Sequence, residues 1–202
     1  MNRLFALLLL ALMPLFASAT EEPRYEVLRP IAEGIELRRY APYVVAEVVL
    51  DARAADAGSQ AFPILAGYIF GKNKGQRRLE MTAPVTQSAA PAKLAMAAPV
   101  TQSPAGGGTR VQFVLPSDVT LATAPEPLDP RVRLREEPAA TWAVIRYSGT
   151  WSQDNYSDHL AKLRAALDAA GLRTEGEPVW ARYNGPTTPW FMRRNEIWLA
   201  VR

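Results

Sequence analysis

The groups able to do chemistry in this chain are few. There is one histidine, His159, and no cysteine. That removes thiolate nucleophiles, disulfides, iron–sulfur clusters and cysteine-type zinc sites. It leaves only His159, carboxylates and methionines as metal ligands. Ser152, Asp154, Ser157 and Asp158 surround His159, the residue types of a hydrolytic triad. All fall within one helical stretch, where sequence neighbours point apart. No glycine-rich phosphate loop, zinc-protease helix, calcium loop or nucleophile elbow occurs. The carboxylates are scattered among arginines, so spacing nominates no acid/base pair.

What remains is chemistry of binding. Phe62, Leu65 and Ile69 recur at helical spacing with Tyr68 beside them. Such a stripe is either ordinary core or one wall of a groove for a planar apolar ligand. Tyr68, a step off the stripe, is the better marker of a groove face. Lys72, Lys74, Arg77 and Arg78 follow directly, either as a solvated turn or as contacts for an anion. Met81 and Met96 head two related segments 15 residues apart, Met81–Gln87 and Met96–Gln102. Their thioethers can fill core gaps or meet a soft metal. His159 reads as a partly exposed structural residue. Trp190-Phe191-Met192 follows a Pro-rich turn and reads as a pocket lining or an interaction patch. Arg193 and Arg194 beside it make a second candidate anion site.

The elements that must position these residues follow from pattern. Tyr25–Leu28, Ile35–Tyr40 and Tyr43–Leu50 read as strands. Ser59 is the expected N-cap of a first helix over Phe62–Phe70, with Pro63 in its first turn and Gly71 ending it. The stretch 88–108, rich in Ala, Pro and Gly, reads as a loop whose composition leaves it free to act as a lid. Arg110–Leu115, Val132–Arg135, Thr141–Tyr147, Val179–Tyr183 and Glu196–Val201 are further strands. A second helix spans Asp154–Ala170, with Tyr156, Leu160, Leu163 and Leu167 on one face, and Gly171 stops it. The order repeats, so residues 25–116 and 131–202 form two similar halves. The expected fold is α+β: a distorted antiparallel barrel or curved sheet of two pseudo-repeated halves carrying two main helices.

Residues 1–19 have the layout of a secretory signal peptide: Arg3, an apolar run from Leu4 to Phe16, then Ala17-Ser18-Ala19. The mature chain, Thr20–Arg202, is expected to be one secreted, periplasmic domain. No later segment is long and apolar enough to span a bilayer. The net charge of +3 falls to +2 with the loss of Arg3, a balance too small to indicate a nucleic-acid binder.

Several segments together resemble the SOUL haem-binding family. They are Gly34–Tyr40 with Pro42 and Val45–Glu47, Ala61-Phe62 with Leu65, Tyr68-Ile69 and Gly71–Asn73, and Met81–Val85. Phe113–Pro116, the Pro-rich link to Asp129, Tyr147–Gly149, Tyr183-Asn184 and Arg194–Glu196 extend the match over residues 24–202. The resemblance implies a barrel-like fold of duplicated halves that binds haem or another tetrapyrrole at an apolar surface near the first helix. Phe62, Leu65, Tyr68, Ile69 and Met81 would then face the macrocycle. Lys72, Lys74, Arg77 and Arg78 would meet its propionates. Some relatives use an axial histidine in the region matching Ile35–Leu50, which here has none, so the iron ligand stays open. The expectation is a non-catalytic binder of haem or a similar planar amphipathic molecule. The rivals are a module for another apolar ligand and an enzyme acting on a tetrapyrrole or an ester.

Overall fold

The computed structural model describes residues 21–75 and 93–202. Nine strands join in one antiparallel sheet: β1 (Tyr25–Ala32), β2 (Ile35–Tyr40), β3 (Tyr43–Leu50), β4 (Val100–Ala105), β5 (Gly108–Val114), β6 (Arg133–Glu137), β7 (Ala140–Tyr147), β8 (Thr174–Arg182) and β9 (Asn195–Val201). Two helices accompany them, α1 (Ala54–Ile69) and α2 (Gln153–Ala169). The strand order is β1-β2-β7-β9-β8-β4-β5-β3-β6. Exchange β2 with β6, β3 with β7, β4 with β8 and β5 with β9, and the order from β2 to β6 reads the same backwards. That is the arrangement two copies of one strand-strand-helix-strand-strand unit make about a central two-fold. The sheet stays open, with β1 and β6 as its edges.

Both faces of the sheet are covered. Alternate residues of β3 (Val44, Ala46, Val48) join Val111 and Phe113 of β5 under α1. Ile35, Ala143, Ile145, Ile197 and Leu199 do the same under α2, with Tyr156, Leu163 and Leu167 from the helix. On the opposite face Tyr40, Val144, Ala181 and Trp198 form another cluster. Tyr43 packs both on it and on a group containing Val45 and Val114, so the sheet's curvature brings the inner faces of the two halves together.

β1 and β8 are longer than expected, by four residues after Leu28 and five before Val179, and two further elements depart from the sequence expectation. The first helix begins at Ala54, capped by Arg53 without a side-chain bond, so Pro63 lies inside it. Pro63 is exposed, where water can satisfy the backbone carbonyl it leaves without a helical partner. Ser59 is not a cap; its hydroxyl donates to the Asp56 carbonyl at 2.8 Å. The second departure is β4, in a stretch read as loop. Pro104 masks it, yet β4 pairs with β8 only over Val100–Gln102. Pro104 therefore sits where β4 has β5 alone as neighbour, the kind of one-sided position a strand proline can occupy. Gly106 and Gly107, both at positive φ, supply the two-residue turn to β5.

Candidate functional site

Four of the nine residues singled out from the sequence share one helix, and it turns them different ways. Leu65, Tyr68 and Ile69 are buried in the core between α1 and the sheet. Phe62 is 45% exposed, its ring 5.5 Å from that of Phe113. Tyr68 is as buried as the stripe it was expected to leave, at 1% exposure. The reason lies in Ala57, Ala61 and Ala66 on the same side of α1. Small side chains let the helix settle close to the sheet and widen its buried arc. The Tyr68 hydroxyl donates to the carbonyl of Pro125 at 2.9 Å. Burial pushes that phenol above its ordinary value, so it stays a neutral donor.

The turn after α1 is ordered by a partner far along the chain. The Asn73 side chain donates to the Tyr68 carbonyl at 2.9 Å and accepts from the Gly75 amide at 3.1 Å. Asn73 also bridges to Pro127, and the Leu128 amide reaches the Lys72 carbonyl. Lys74 is committed to Glu126, Nζ to Oε1 at 2.7 Å. Lys72 is different: its stem folds back over Gly67, where a Cβ would lie 2.9 Å from its Cδ. Lys72 is exposed, and its charge lies near enough to Asp129 to help hold that carboxyl down. Arg77, Arg78 and Met81 lie outside the described residues.

Beside α1 these features enclose an open depression of about 230 Å³. Its lining is Pro63, Ile64 and Tyr68 from the helix, Lys72 from the turn, and Asp129 with Arg131 from the Pro-rich link. Arg131 clasps Asp129 through Nε at 3.0 Å and Nη2 at 2.7 Å. Those hydrogen bonds hold the Asp129 carboxyl down at about 2. The chemistry is an apolar wall with a cationic rim, one of whose cations is already neutralised. Lys72 and Tyr68 were named from sequence. Asp129 entered only as the end of the family-matching link and Arg131 not at all, because they arrive from some 60 residues away and no local spacing marks them as part of a site.

The remaining candidates lie elsewhere. His159, on α2, stacks on Tyr147 at 4.2 Å, and its Nδ1 donates to the Asn155 carbonyl at 2.7 Å. Met96 is partly exposed just before β4. A second group of titratable residues is structural. Glu196, fully buried, accepts from Arg38 at 3.1 Å, Arg194 at 2.8 Å, Tyr183 at 2.8 Å and Trp198 at 2.9 Å. Arg194 in turn grips Glu22 of the N-terminal lead-in at 2.8 and 3.0 Å. Every oxygen of Glu196 is taken, so it has no free lone pair to offer a ligand.

Among the described residues no group of three or more His, Asp or Glu side chains could hold a metal ion. None of their helices is long and apolar enough to cross a membrane. By shape, the chain is similar to the C-terminal domain of EcmrR, with a TM-score of 0.53 at 12% identity over 88% of this chain and 98% of that one. It is also similar to a structure described as a hydrolase from Listeria innocua, with a TM-score of 0.52 at 11% identity over 93% and 95%. At such identities the likeness is one of fold. By sequence, it is 28% identical to heme-binding protein 2 of Homo sapiens over 92% of this chain and 88% of the relative. Heme-binding protein 1 of Mus musculus is 26% identical over 75% of each. The model of the family described as SOUL heme-binding protein matches residues 20–200, from the lead-in that Arg194 grips to the last strand, so the chain belongs to that family.

Proposed function

We propose that this chain binds haem or a related tetrapyrrole, without altering it, in the depression beside α1. The observation that carries the site is the pairing of an apolar wall with an exposed cation at its rim. Pro63 and Ile64, backed by the buried Tyr68, offer a surface for one face or edge of a macrocycle, and Lys72, folded over Gly67, stands at its rim for a propionate. The volume is below the ~300–1,000 Å³ that encloses most of a drug-sized ligand. The macrocycle would therefore rest partly in solvent. Bound haem would bring an iron able to take axial ligands. The described lining gives it no free donor, since the Tyr68 hydroxyl is engaged with Pro125. Contact and charge are thus the forces this lining supplies. Family membership and the heme-binding names of the relatives support the ligand class. The leader-like residues 1–19 support a secreted, periplasmic setting.

The test is a haem titration of Thr20–Arg202 followed by its visible spectrum. Saturation at one equivalent is expected, weakened by Lys72→Gln. The dimethyl ester of the same porphyrin, which lacks propionate charge, should bind Lys72→Gln and wild type alike. Equal weakening for both ligands would overturn the propionate contact of Lys72. Displacement of haem by an unrelated apolar dye with tighter binding would favour a general apolar-ligand module.

A further inference from the structure

A second recess, of about 310 Å³, lies where the N-terminal lead-in, residues 21–24, meets the start of β3 and the chain leaving β5. It shares no lining residue with the depression beside α1. Its volume reaches the ~300–1,000 Å³ typical of small-molecule pockets. Pro42, Tyr43 and Val119 present accessible apolar surface to it, backed by the buried Pro23, Leu115 and Pro116.

The lead-in wall is fixed along its length. The Glu21 carbonyl accepts from the Ala98 amide at 2.7 Å, and the Glu21 carboxylate accepts from the Ser117 amide at 2.9 Å. Glu22 is gripped by Arg194 at 2.8 and 3.0 Å. The Arg24 carbonyl accepts from the Ala41 amide at 2.9 Å. A wall tied at three of its four residues is preformed, so a ligand does not have to order it on binding.

Four ionisable side chains border the recess: Glu21, Glu22, Arg24 and Glu136. The charge of Glu22 is cancelled by Arg194. Hydrogen bonds from Ser117, with help from Arg24, hold the Glu21 carboxyl below its ordinary value, so it stays ionised. Glu136, on β6, is exposed and has no ion partner among the described residues. Two carboxylates against the one guanidinium of Arg24 leave a net negative charge over apolar walls. A bare metal ion would leave those walls idle, and among the described residues no group of three acidic or histidine side chains could hold one.

We infer that this recess is a binding site for a small organic cation, an ammonium carried on a compact apolar body. The body rests on Pro42, Tyr43 and Val119, and the charge turns toward Glu21 and Glu136. An anion of the same shape meets like charge there, and a neutral molecule has the walls alone.

The experiment is an NMR titration of residues 20–202, which include every described residue, with three probes of similar shape: phenethylamine, phenethyl alcohol and hydrocinnamate. Amide shifts of Tyr43, Ser117, Val119 and Thr120 report the recess. Phenethylamine is expected to saturate them about fivefold more tightly than the alcohol, as a partly solvated charge contact allows. Hydrocinnamate should bind most weakly. The advantage of the amine should vanish at ~1 M salt, where the Debye length falls to about 3 Å. Glu136→Gln should weaken the amine about threefold and leave the alcohol unchanged. Glu136→Lys should reverse the order of amine and hydrocinnamate, a change that loss of fold cannot mimic. Failure of all three probes to saturate the recess amides overturns the proposal. So does equal affinity for the three, and so does an amine preference that survives Glu136→Lys.

Discussion

Asp129 decides how much positive charge the depression beside α1 offers. With its carboxylate ionised, Arg131 is neutralised and Lys72 is left as the main anchor. Asp129→Asn should therefore tighten haem binding, on the order of threefold, because one negative charge leaves the rim and a guanidinium is freed. The same residue links to acid stability. Its folded value is depressed to about 2 from an ordinary 3.8. Its contribution is thus complete above about pH 4 and disappears as pH falls toward 2. Acid unfolding of Asp129→Asn, followed by circular dichroism, should show a shallower loss of stability through that window. An unchanged slope would mean that the Arg131 clasp is idle. Tyr68 makes the complementary case. Tyr68→Phe removes one buried hydrogen bond and should cost about 1 kcal/mol, whereas Tyr68→Ala opens the core and should cost ~3–5 kcal/mol. Both are read from denaturant midpoints. Haem affinity measured on the folded Tyr68→Phe protein then reports the wall without the confounding loss of fold.

At the scale of elements, α1 and the turn after it act as one unit. Gly67 lies within a helix, where glycine costs roughly 0.5–1 kcal/mol against alanine. Its compensating role is to let the Lys72 stem pass over it. Gly67→Ala should raise the unfolding midpoint, since a flexible lysine stem can move aside. It should also weaken haem binding by displacing the ammonium. A stabilised variant with unchanged affinity would separate Lys72 from the ligand. Much of this unit was legible in the sequence. The buried pair Leu65 and Ile69 and the stop at Gly71 follow from period and composition, whereas Phe62, placed on the same stripe, turns outward. The start at Ala54 was not, because Pro63 looked like a first-turn residue and Ser59 like its cap. The ordering of Asn73 against Pro127 was also hidden, since it depends on a segment with no periodicity of its own. β4 was concealed by Pro104, tolerable only because β8 ends its pairing before that residue. At Asn73 and β4 local rules fail because the deciding neighbour is distant in sequence; at Pro63 they fail because an exposed helix position lets water replace the missing backbone bond.

At the scale of the molecule, the two halves are bound more closely than a repeated layout requires. β2 of the first half pairs with β7 of the second, and β6 of the second pairs with β3 of the first. Each half therefore lends a strand to the other's side of the sheet. Glu196 adds a buried junction, joining Arg38 of β2 to Arg194 beside β9, and through it to Glu22. Neither half can lose its packing without exposing strands of the other, so a single cooperative transition is expected. The chain carries its own reporter for this. All five tryptophans fall between Trp142 and Trp198, so indole fluorescence arises in the second half, with Trp198 also packed on Tyr40 of the first. Leu65, fully buried under α1, belongs to the first half. Leu65→Ala should cost ~2–5 kcal/mol, lowering the midpoint on the order of 10 °C for a chain of this size. If the halves melt together, the tryptophan-monitored midpoint falls by the same amount as the helix-monitored one, although no tryptophan contributes to the core around Leu65. If the fluorescence midpoint holds at the wild-type value while the helix signal shifts, the exchanged strands do not couple the halves, and the molecule unfolds as two.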